Sequence, residues 1–397
     1  MKIQPVLFAW LAGLFLVKAS AQQTPAVFSL DPAILTANKK KVGLDDPALS
    51  PAYKQLLKDA DKALKQGPFS VMEKKNLPPS GDKHDYMSLA PYHWPDPSKP
   101  NGLPYIRKDG QTNPEVKEYK DKEYMPKLCE LVNTLGQAYY FSGDERYAEH
   151  ASRLLSVWFL DAETRMNPNL KYAQAIKGVN EGRGAGLIDS RHFIKLIDAI
   201  GLLNGSRHWK AKHQQGMKQW FASFLDWMQT SKNGISEMNA SNNHGTWYDA
   251  QRLAMALFID STSLAKSIVQ NALLRLDQQM DNEGKFPEEM ERTIALHYNV
   301  FDLEAFFLIA KMAEKLDMNV WNHETKTGKS LKKGFLFLFP YITKQKDWIG
   351  QQIKPYEFEE GYPLLLTAAA KLNCTQCAAS VRNLEEEADR LRLWLLY

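Results

Sequence analysis

Two polar clusters in the sequence combine residue types that support proton transfer next to a carboxylate. The first occupies residues 242–245, just before the apolar helical run 250–258, and the second occupies residues 291–299. Amide, imidazole and guanidinium donors that point at a substrate carboxylate stabilise the negative charge that develops when a proton leaves the adjacent carbon. The donors and the proton-transfer group of these clusters are Asn243, His244, Arg292 and Tyr298.

This combination predicts an elimination reaction on an acidic sugar. The C5 proton of a uronic acid is hard to remove because the neighbouring carboxylate is already negative, so the step needs donors of this kind. Tyr298 would transfer protons, and we expect Arg292 to lower its pKa from the reference value of about 10. The product would be an unsaturated sugar, and the step requires no metal ion and no other cofactor.

The first cluster is expected to lie at the start of a helix. Thr246 and Asp249 have the spacing of a capping box, which predicts that the helix begins at Thr246. Asn243 and His244 would then lie just before the first turn. The amide groups at that end have no helical partners and favour a negatively charged group, so a ligand carboxylate would be well placed there.

The spacing of the two clusters indicates how they would meet. About fifty residues separate them, which is enough for the two helices of one hairpin, so both clusters would lie at the same end. Arg292 and Tyr298 are six residues apart and would point about 120° apart on one continuous helix. The sequence therefore requires a bend or loop before Tyr298 if both residues face one substrate.

Residues 242–249, together with Arg292 and residues 296–298, resemble the alginate lyases of the (α/α)-toroid type. Three further motifs support the resemblance and follow in order along the chain, at 80–86, 91–97 and 166–174. Each motif alone is weak evidence, but their order over roughly residues 70–370 makes the match specific.

The resemblance implies a role for each candidate residue. In that family Asn and His neutralise the uronate carboxylate, and Tyr, assisted by Arg, performs the elimination. These roles fall on Asn243, His244, Tyr298 and Arg292. Two alternatives stay open, since Asn242 would serve in place of Asn243, or His297 in place of His244, if it faces the cleft instead. The sequence is closer to a divergent branch than to the mannuronate-specific lyases, so the preferred uronate is open.

A long polar segment, residues 67–114, is expected to line or cover the cleft. Loops of this length inside a compact protein are usually functional, and this one is rich in Pro, aromatic and basic residues. The Gly-rich stretch 180–186 lacks the spacing of a dinucleotide loop, and we expect Arg183 within it to bind a carboxylate. The predicted substrate-binding residues are Lys83, His84, Tyr86, Trp94, Tyr172, Gln174, Arg183 and His297.

Helical periodicity dominates from residue 116 onward and predicts an all-α chain. Few stretches alternate with the period of a strand, and short polar joins at 142–144 and 260–262 favour antiparallel helical hairpins. With the resemblance, this predicts one domain, residues 22–397, folded as an incomplete (α/α) toroid. Residues 22–50 are expected to be extended, and a first helix starts at Pro51. The later predicted helices are 115–142, 144–160, 189–204, 209–230, 246–259, 262–281, 299–316, 328–338, 358–372 and 377–396.

Residues 1–21 have the features of a cleavable secretory signal. Lys2 precedes an apolar core at 6–17 that is too short to span a bilayer, and small residues stand before the cleavage point. We therefore expect a periplasmic or secreted protein. In an oxidising compartment Cys374 and Cys377 would form a disulfide, whereas Cys129 is expected to be buried.

The composition excludes several classes of function. The net charge is +4 and 44% of the residues are hydrophobic, which suits a large core and leaves no broad basic face for nucleic acid. A catalytic metal is not expected, since the sequence has no His-Glu-x-x-His motif and no second Cys pair. The expected partner is an anionic polysaccharide such as alginate.

Two rival functions stay open. A toroidal glycoside hydrolase would use a pair of carboxylates, and a periplasmic sugar-binding protein would use the same rings and cations without proton transfer. The candidate carboxylates are Glu288, Glu289, Glu291, Glu357, Glu359 and Glu360. Runs of Glu are usually solvated, and the Asn–His and Arg–Tyr arrangement has no necessary place in a hydrolase.

Overall fold

The computed structural model describes residues 24–397, and helices dominate this part of the chain. The α-helices are α1 Pro32–Val42, α2 Ser50–Ala63, α3 Lys120–Ser142, α4 Glu145–Leu155, α5 Phe193–Leu202, α6 Ala211–Thr230, α7 Lys232–Met238, α8 Asn243–Phe258, α9 Thr262–Gln279, α10 Pro287–Met290, α11 Ala295–Ala313, α12 Leu331–Ile342, α13 Tyr362–Lys371 and α14 Cys377–Leu384. The short strands are β1 Met87–Leu89, β2 His93–Trp94, β3 Ile106–Arg107 and β4 Tyr172–Ala175. The prediction of an all-α fold is confirmed. The predicted signal sequence lies outside the described residues.

Alternate helices form an inner ring. Helices α3, α5, α8, α11 and α13 pack against one another in that order. Helices α4, α9, α12 and α14 each pack on the inner helix that precedes them, and α6 packs on α8. Every residue of α5 except Lys195 is buried, and so is every residue of α8 except His244. This alternation of inner and outer helices follows from successive antiparallel hairpins and confirms the incomplete (α/α) toroid.

Short turns with left-handed residues separate the hairpin helices. Gly143 has φ 74° and ends α3, and the side chain of Asp144 then accepts the backbone N–H of Arg146 at the start of α4. Asp260, with φ 61°, stands between α8 and α9. Gly tolerates this conformation without strain and Asp tolerates it better than most residues, so these joins reverse the chain where the sequence predicted.

The strands hold the long segment 67–114 against the helices. β1 pairs in parallel with β4, and β2 pairs antiparallel with β3, so that His93 stands opposite Arg107. These pairs bring two distant parts of the sequence to the same edge of the ring. The segment therefore has a fixed path, and residues 91–93 reach the inner helices.

Several predicted helix boundaries differ from the structure by a few residues, and two of the differences have a clear consequence. Helix α8 begins at Asn243 and not at Thr246, because the side chain of Asn242 accepts the backbone N–H of His244 at 3.2 Å and so caps the helix three residues earlier. The hydroxyl of Thr246 instead donates to Gln279 Oε1 at 2.8 Å. The last predicted helix, 377–396, ends at Leu384 and is followed by two short 3-10 turns.

The predicted extended lead-in contains helix α1. Asp31 caps it by accepting the backbone N–H groups of Ala33 and Ile34, and Pro32 occupies the first turn, where its missing N–H costs nothing. Leu35 and other residues on one face are buried. The lysines between them obscured this face in the sequence.

The cysteines are placed as expected. Cys374 and Cys377 form a disulfide, and Cys129 is buried in α3, where burial raises the pKa of its thiol. None of the helices within residues 24–397 combines the length and apolar character that a membrane span requires.

A cavity of about 510 Å³ lies beside the middle of α11. It is lined by Glu304 and Lys311, by His192 and by residues of the C-terminal segment. Burial, followed by the charges of Arg191 and Lys195, lowers the pKa of His192 to about 2. His192 is therefore neutral in the folded protein at any ordinary pH.

This histidine should make the fold sensitive to acid. Below about pH 6.5 the unfolded chain binds a proton at His192 and the folded chain does not, so the free energy of unfolding falls as the pH falls, by about 2 kcal/mol between pH 6.5 and 5. We expect urea unfolding to show a smaller loss over this interval in His192→Gln than in the wild type. His323→Gln, at a partly exposed position, is the control. Equal losses in wild type and His192→Gln would contradict the prediction.

Candidate active site

The N-terminal ends of α8 and α11 open into one cleft of about 600 Å³. Its other walls come from residues 91–93, from Arg107 and from the 3-10 helix Gly184–His192. The two polar clusters meet here because α8 and α11 are neighbours in the inner ring. The cluster residues that line the cleft are Asn242, Asn243, His244, Arg292, His297 and Tyr298.

A buried carboxylate fixes Asn243. Its backbone N–H and its Nδ2 both donate to Glu289 Oε1, at 2.8 and 2.7 Å. Glu289 Oε2 lies 3.7 Å from Arg292 NH1, so the same carboxylate stands beneath both clusters. Asn243 Oδ1 is buried and has no hydrogen-bond partner. The amide is therefore held in one orientation, and Nδ2 has a second N–H, beyond the one donated to Glu289, for a ligand oxygen.

A second carboxylate orients His244. The Nδ1 atom of His244 lies 2.6 Å from Glu237 Oε1, and Glu237 is almost fully buried. Such a contact fixes the ring orientation and leaves Nε2 as the nitrogen available to a substrate. His244 is also the one residue of α8 that is not buried.

Tyr298 is held by a tyrosine from the long segment and by Arg292. Its hydroxyl donates to Tyr92 Oη at 2.9 Å, and the Arg292 guanidinium carbon lies 3.5 Å from the centre of its ring. Burial, and next the neighbouring Tyr92, raise the pKa of Tyr298 well above its ordinary value, and Arg292 offsets only part of this rise. The expectation of a lowered pKa was therefore wrong, and Tyr298 is a neutral phenol in the cleft.

Arg292 is positioned by Asp109 across the cleft rim. Its Nε and NH2 groups donate to the two carboxylate oxygens at 2.8–3.2 Å, which is a bidentate contact. Burial alone would raise the pKa of Asp109, but the hydrogen bonds from Arg292 and from the Thr293 backbone hold it well below its ordinary value. The chain turns between α10 and α11, which supplies the bend that the spacing of Arg292 and Tyr298 required.

Gln174 and Arg183 form a linked pair in the opposite wall. Gln174 Oε1 accepts from Arg183 NH2 at 2.9 Å, while Gln174 Nε2 donates to Asp189 at 3.0 Å. Gln174 has φ 50°, an uncommon conformation for a residue with a side chain, and such strain often occurs at functional sites. Arg183 Nε is buried and has no hydrogen-bond partner.

Stacked rings close the far side of the cleft. His297 stacks on Phe301 with ring centres 5.8 Å apart, and Phe301 stacks on Trp247 at 4.7 Å. His297 Nδ1 lies 2.6 Å from Glu360 Oε2. Both His244 and His297 thus line the cleft, each bound to a carboxylate through Nδ1, and the buried Glu237 holds His244 more firmly than the partly exposed Glu360 holds His297.

Five of the predicted substrate-binding residues do not line this cleft. Tyr86 is fully buried and donates to Asp189, and Tyr172 is buried in β4. The other three bind the backbone of neighbouring loops, since Lys83 contacts Met72 O, His84 contacts Arg165 O and Trp94 contacts Gln111 O. They support the long segment, whereas Gln174, Arg183 and His297 do line the cleft.

Further residues complete the cleft and its floor. Tyr92 and His93, from the motif 91–97, line the cleft, in keeping with the expectation that the long segment 67–114 lines or covers it. Glu289 was placed among the candidate acids of a hydrolase, in a run expected to be solvated, yet it is fully buried. No local pattern in the sequence distinguishes Glu289 from Glu288, because its burial depends on the packing of α10 under α8.

The comparisons with known proteins agree with this geometry. The model of the alginate lyase family matches residues 70–348. A crystal structure of an alginate lyase from Bacteroides ovatus shares 43% sequence identity and superimposes with a TM-score of 0.90, covering 94% of this chain and 99% of that chain. The chain belongs to the alginate lyase family. It is therefore a polysaccharide lyase.

More distant structures show the same fold. Alginate lyase A1-III from Sphingomonas species A1 has 13% identity and a TM-score of 0.55, and a complex of an A1-III variant with a tetrasaccharide has 13% identity and a TM-score of 0.60. Each alignment covers 94% of this chain and 96% of the other. No curated protein was found to match the sequence.

Glu289 and Asp302 are both buried beneath the cleft, but we expect replacement of the acid by its amide to affect activity at only one of them. Burial, and then the charge of Glu289, raise the pKa of Asp302 well above its ordinary value, so Asp302 is a neutral acid that Asn can replace. We expect Asp302→Asn to retain most of its activity. We expect Glu289→Gln to lower kcat about 100-fold, because an amide NH2 group in place of Oε2 removes the negative charge that holds Arg292 beside Asn243.

Steady-state kinetics of both variants on a polyuronate checks this prediction, with urea unfolding to show that each is folded. The prediction fails if Glu289→Gln keeps the wild-type kcat, or if both variants lose activity equally.

Proposed function

We propose that this polysaccharide lyase cleaves alginate by β-elimination at this cleft, without a metal ion, and leaves an unsaturated uronate at the new end. The observation that carries the proposal is the convergence of four groups on one cleft. They are an oriented amide donor, Asn243, an oriented imidazole, His244, and a guanidinium stacked on a tyrosine, Arg292 on Tyr298. The alginate lyase from Bacteroides ovatus supports the choice of substrate.

Neutralisation of the uronate carboxylate is the first requirement. Loss of the C5 proton places negative charge on a group that is already a carboxylate, so donors must stabilise the dianion-like intermediate. Asn243 has spare capacity beside its bond to Glu289, and Arg292 supplies a full positive charge. Both are anchored by carboxylates before the substrate arrives, so little reorganisation is needed when the charge develops.

The proton transfers follow from the position of the leaving oxygen. In guluronate the C5 proton and O4 lie on opposite sides of the ring. His244 Nε2 takes the C5 proton, the C5 electron pair forms the C4–C5 double bond, the C4–O4 bond breaks, and Tyr298 donates its proton to O4. A neutral Tyr298 suits this step, and its raised pKa supports the role of acid.

Mannuronate requires a different use of the same tyrosine. Its C5 proton and O4 lie on the same side, so Tyr298 must first ionise, then accept the C5 proton and return it to O4. Arg292 favours the ionised form, while burial and Tyr92 oppose it. We therefore propose that cleavage of mannuronate depends more steeply on pH than cleavage of guluronate.

The acid content of the cleft argues against a glycoside hydrolase. Such enzymes need two carboxylates on either side of the scissile bond. Among the described residues that line the cleft, Glu237 is the one carboxylic acid, and it is bound to His244. The cleft thus lacks the pair that a hydrolase requires.

The proposal also includes export from the cytoplasm. It rests on the apolar leader at residues 1–21, and the disulfide between Cys374 and Cys377 is in keeping with an oxidising compartment. Failure of a thiol reagent to label Cys374 and Cys377 in protein isolated from the native host would support this location.

Ultraviolet absorbance is the direct test of elimination. The mature protein, with chelator present, is incubated with polymannuronate, polyguluronate, mixed alginate and glucuronan. We expect absorbance of the new C4–C5 double bond to rise on alginate, and a rise on glucuronan alone would move the substrate to another polyuronate. Reducing ends without absorbance would indicate a hydrolase, and neither signal would indicate a binding protein.

Removal of one hydroxyl should separate catalysis from binding. We expect Tyr298→Phe to lower kcat by about 10²–10⁴, the usual contribution of a general acid or base, while calorimetry shows oligouronate binding close to that of the wild type. Tyr248→Phe is the matched control, because Tyr248 is also buried and its hydroxyl donates to Met228 O outside the cleft. Wild-type turnover in Tyr298→Phe would exclude the proposed mechanism.

The two substrates should differ in their pH profiles. Because the pKa of Tyr298 is raised, its ionised fraction grows with pH throughout the range 7–9, so kcat/KM on polymannuronate should rise with a slope of about one. On polyguluronate the neutral form is the active one, so the profile should be flat there. His244→Ala should lose turnover of guluronate more than of mannuronate, and retained guluronate turnover would contradict this division of roles.

A further inference from the structure

Most cations of the cleft are already paired with carboxylates. Arg292 and Arg107 both bind Asp109, at 2.8 and 2.7 Å, and Lys122 binds Asp189. Two arginines differ from these, since Arg183 contacts the neutral Gln174, and Arg191 contacts only neutral groups. Neither forms an ion pair with a carboxylate of the described residues.

Arg191 is the more isolated of the two. Its NH1 donates one long hydrogen bond, 3.3 Å, to Ile188 O, and its guanidinium lies 5.6 Å from the centre of the Phe301 ring. A guanidinium has five N–H donors, so most of those of Arg191 are uncommitted. Burial lowers the pKa of Arg191, and the charges of Asp189 and Glu304, which lie beyond ion-pair distance, offset only part of this effect.

A largely buried cation without a counterion is costly, and proteins retain such groups mainly where a ligand supplies the opposite charge. The one carboxylic acid among the described lining residues, Glu237, is bound to His244 and is not paired with Arg191. Arg191 and Phe301 both line the cleft, and the ring restricts where the guanidinium can turn. A carboxylate bound in the cleft is therefore well placed to form the ion pair that Arg191 lacks.

We propose that Arg191 binds the carboxylate of a second uronate residue, a neighbour of the residue that loses its C5 proton. This inference rests on the proposed function and extends it to a further subsite. Every residue of a polyuronate carries a carboxylate, so a chain in the cleft brings at least two. Arg292 and Asn243 are anchored around Glu289 and serve the reacting residue.

The position of Arg191 separates it from the reacting group. It stands on the 3-10 helix Gly184–His192, whereas Asn243 and Arg292 stand at the ends of α8 and α10. The guanidinium lies against Phe301, one turn along α11 from Tyr298. The planar guanidinium has uncommitted N–H groups, and a pair of them on one edge matches the two oxygens of a carboxylate.

The test compares Arg191→Gln with the wild type on oligouronates of two to six residues. We expect KM for the longer oligomers to rise about tenfold or more, the scale of one charge-assisted hydrogen bond, with kcat nearly unchanged. Arg191→Lys should recover part of the affinity. Arg252→Gln is the matched control. Like Arg191, Arg252 lies over an aromatic ring, that of Tyr248, but it is buried outside the cleft.

Chemical modification of the substrate carboxylates provides a second test of the role of Arg191. Partial methyl esterification of the polyuronate should weaken binding to the wild type and have a smaller effect on Arg191→Gln, because that variant has already lost the contact. Equal sensitivity of both proteins to esterification would overturn the proposal. So would a loss of kcat with KM unchanged, or equal effects of Arg191→Gln and Arg252→Gln.

Binding at this subsite can be tested even if the protein does not catalyse the proposed elimination. If the wild type forms no unsaturated product, calorimetry with the same oligouronates still decides the subsite. Weaker binding to Arg191→Gln than to Arg252→Gln supports it, and equal binding overturns it.

Discussion

The contact between Glu289 and the two clusters is the constraint on which the site depends. One buried carboxylate accepts two hydrogen bonds from Asn243 and stands 3.7 Å from Arg292, so it joins the start of α8 to the chain before α11. Ionised carboxylates are stable in a protein interior only when such partners surround them. The two halves of the site therefore position each other, and neither has its geometry without the inner ring.

The electrostatics of the cleft follow from unequal numbers of cations and acids. Asp109 and Asp189 neutralise the cations at the rim and beneath the wall, while Arg183 and Arg191 have no acidic partner among the described residues. A polymer with one carboxylate per residue matches this surplus. Because the net charge of the protein is only +4, its attraction for such a polymer depends on these local cations and not on a broadly basic surface.

Tyr298 illustrates how packing changes the chemistry of a residue. Sequence spacing placed a cation near it and predicted a lower pKa, and the cation is indeed 3.5 Å from its ring. Burial and Tyr92 have the larger effect and raise the pKa. Desolvation opposes ionisation whatever the sign of the nearest charge, and sequence does not report how deeply a side chain is buried. The neutral Tyr298 can donate its proton directly in the route proposed for guluronate, whereas it must first ionise in the route proposed for mannuronate.

The sequence by itself determined the helical class, the hairpin joins at Gly143 and Asp260, and the motifs that place the chain among the alginate lyases. These depend on periodicity, turn residues and local order, which are properties of neighbouring residues. Only the tertiary structure decided that Glu289 is buried, that Tyr86 and Tyr172 face away from the cleft, and that Arg191 lacks a counterion. Each of these depends on contacts between segments far apart in the chain, and such contacts form only when the inner helices close around the cleft.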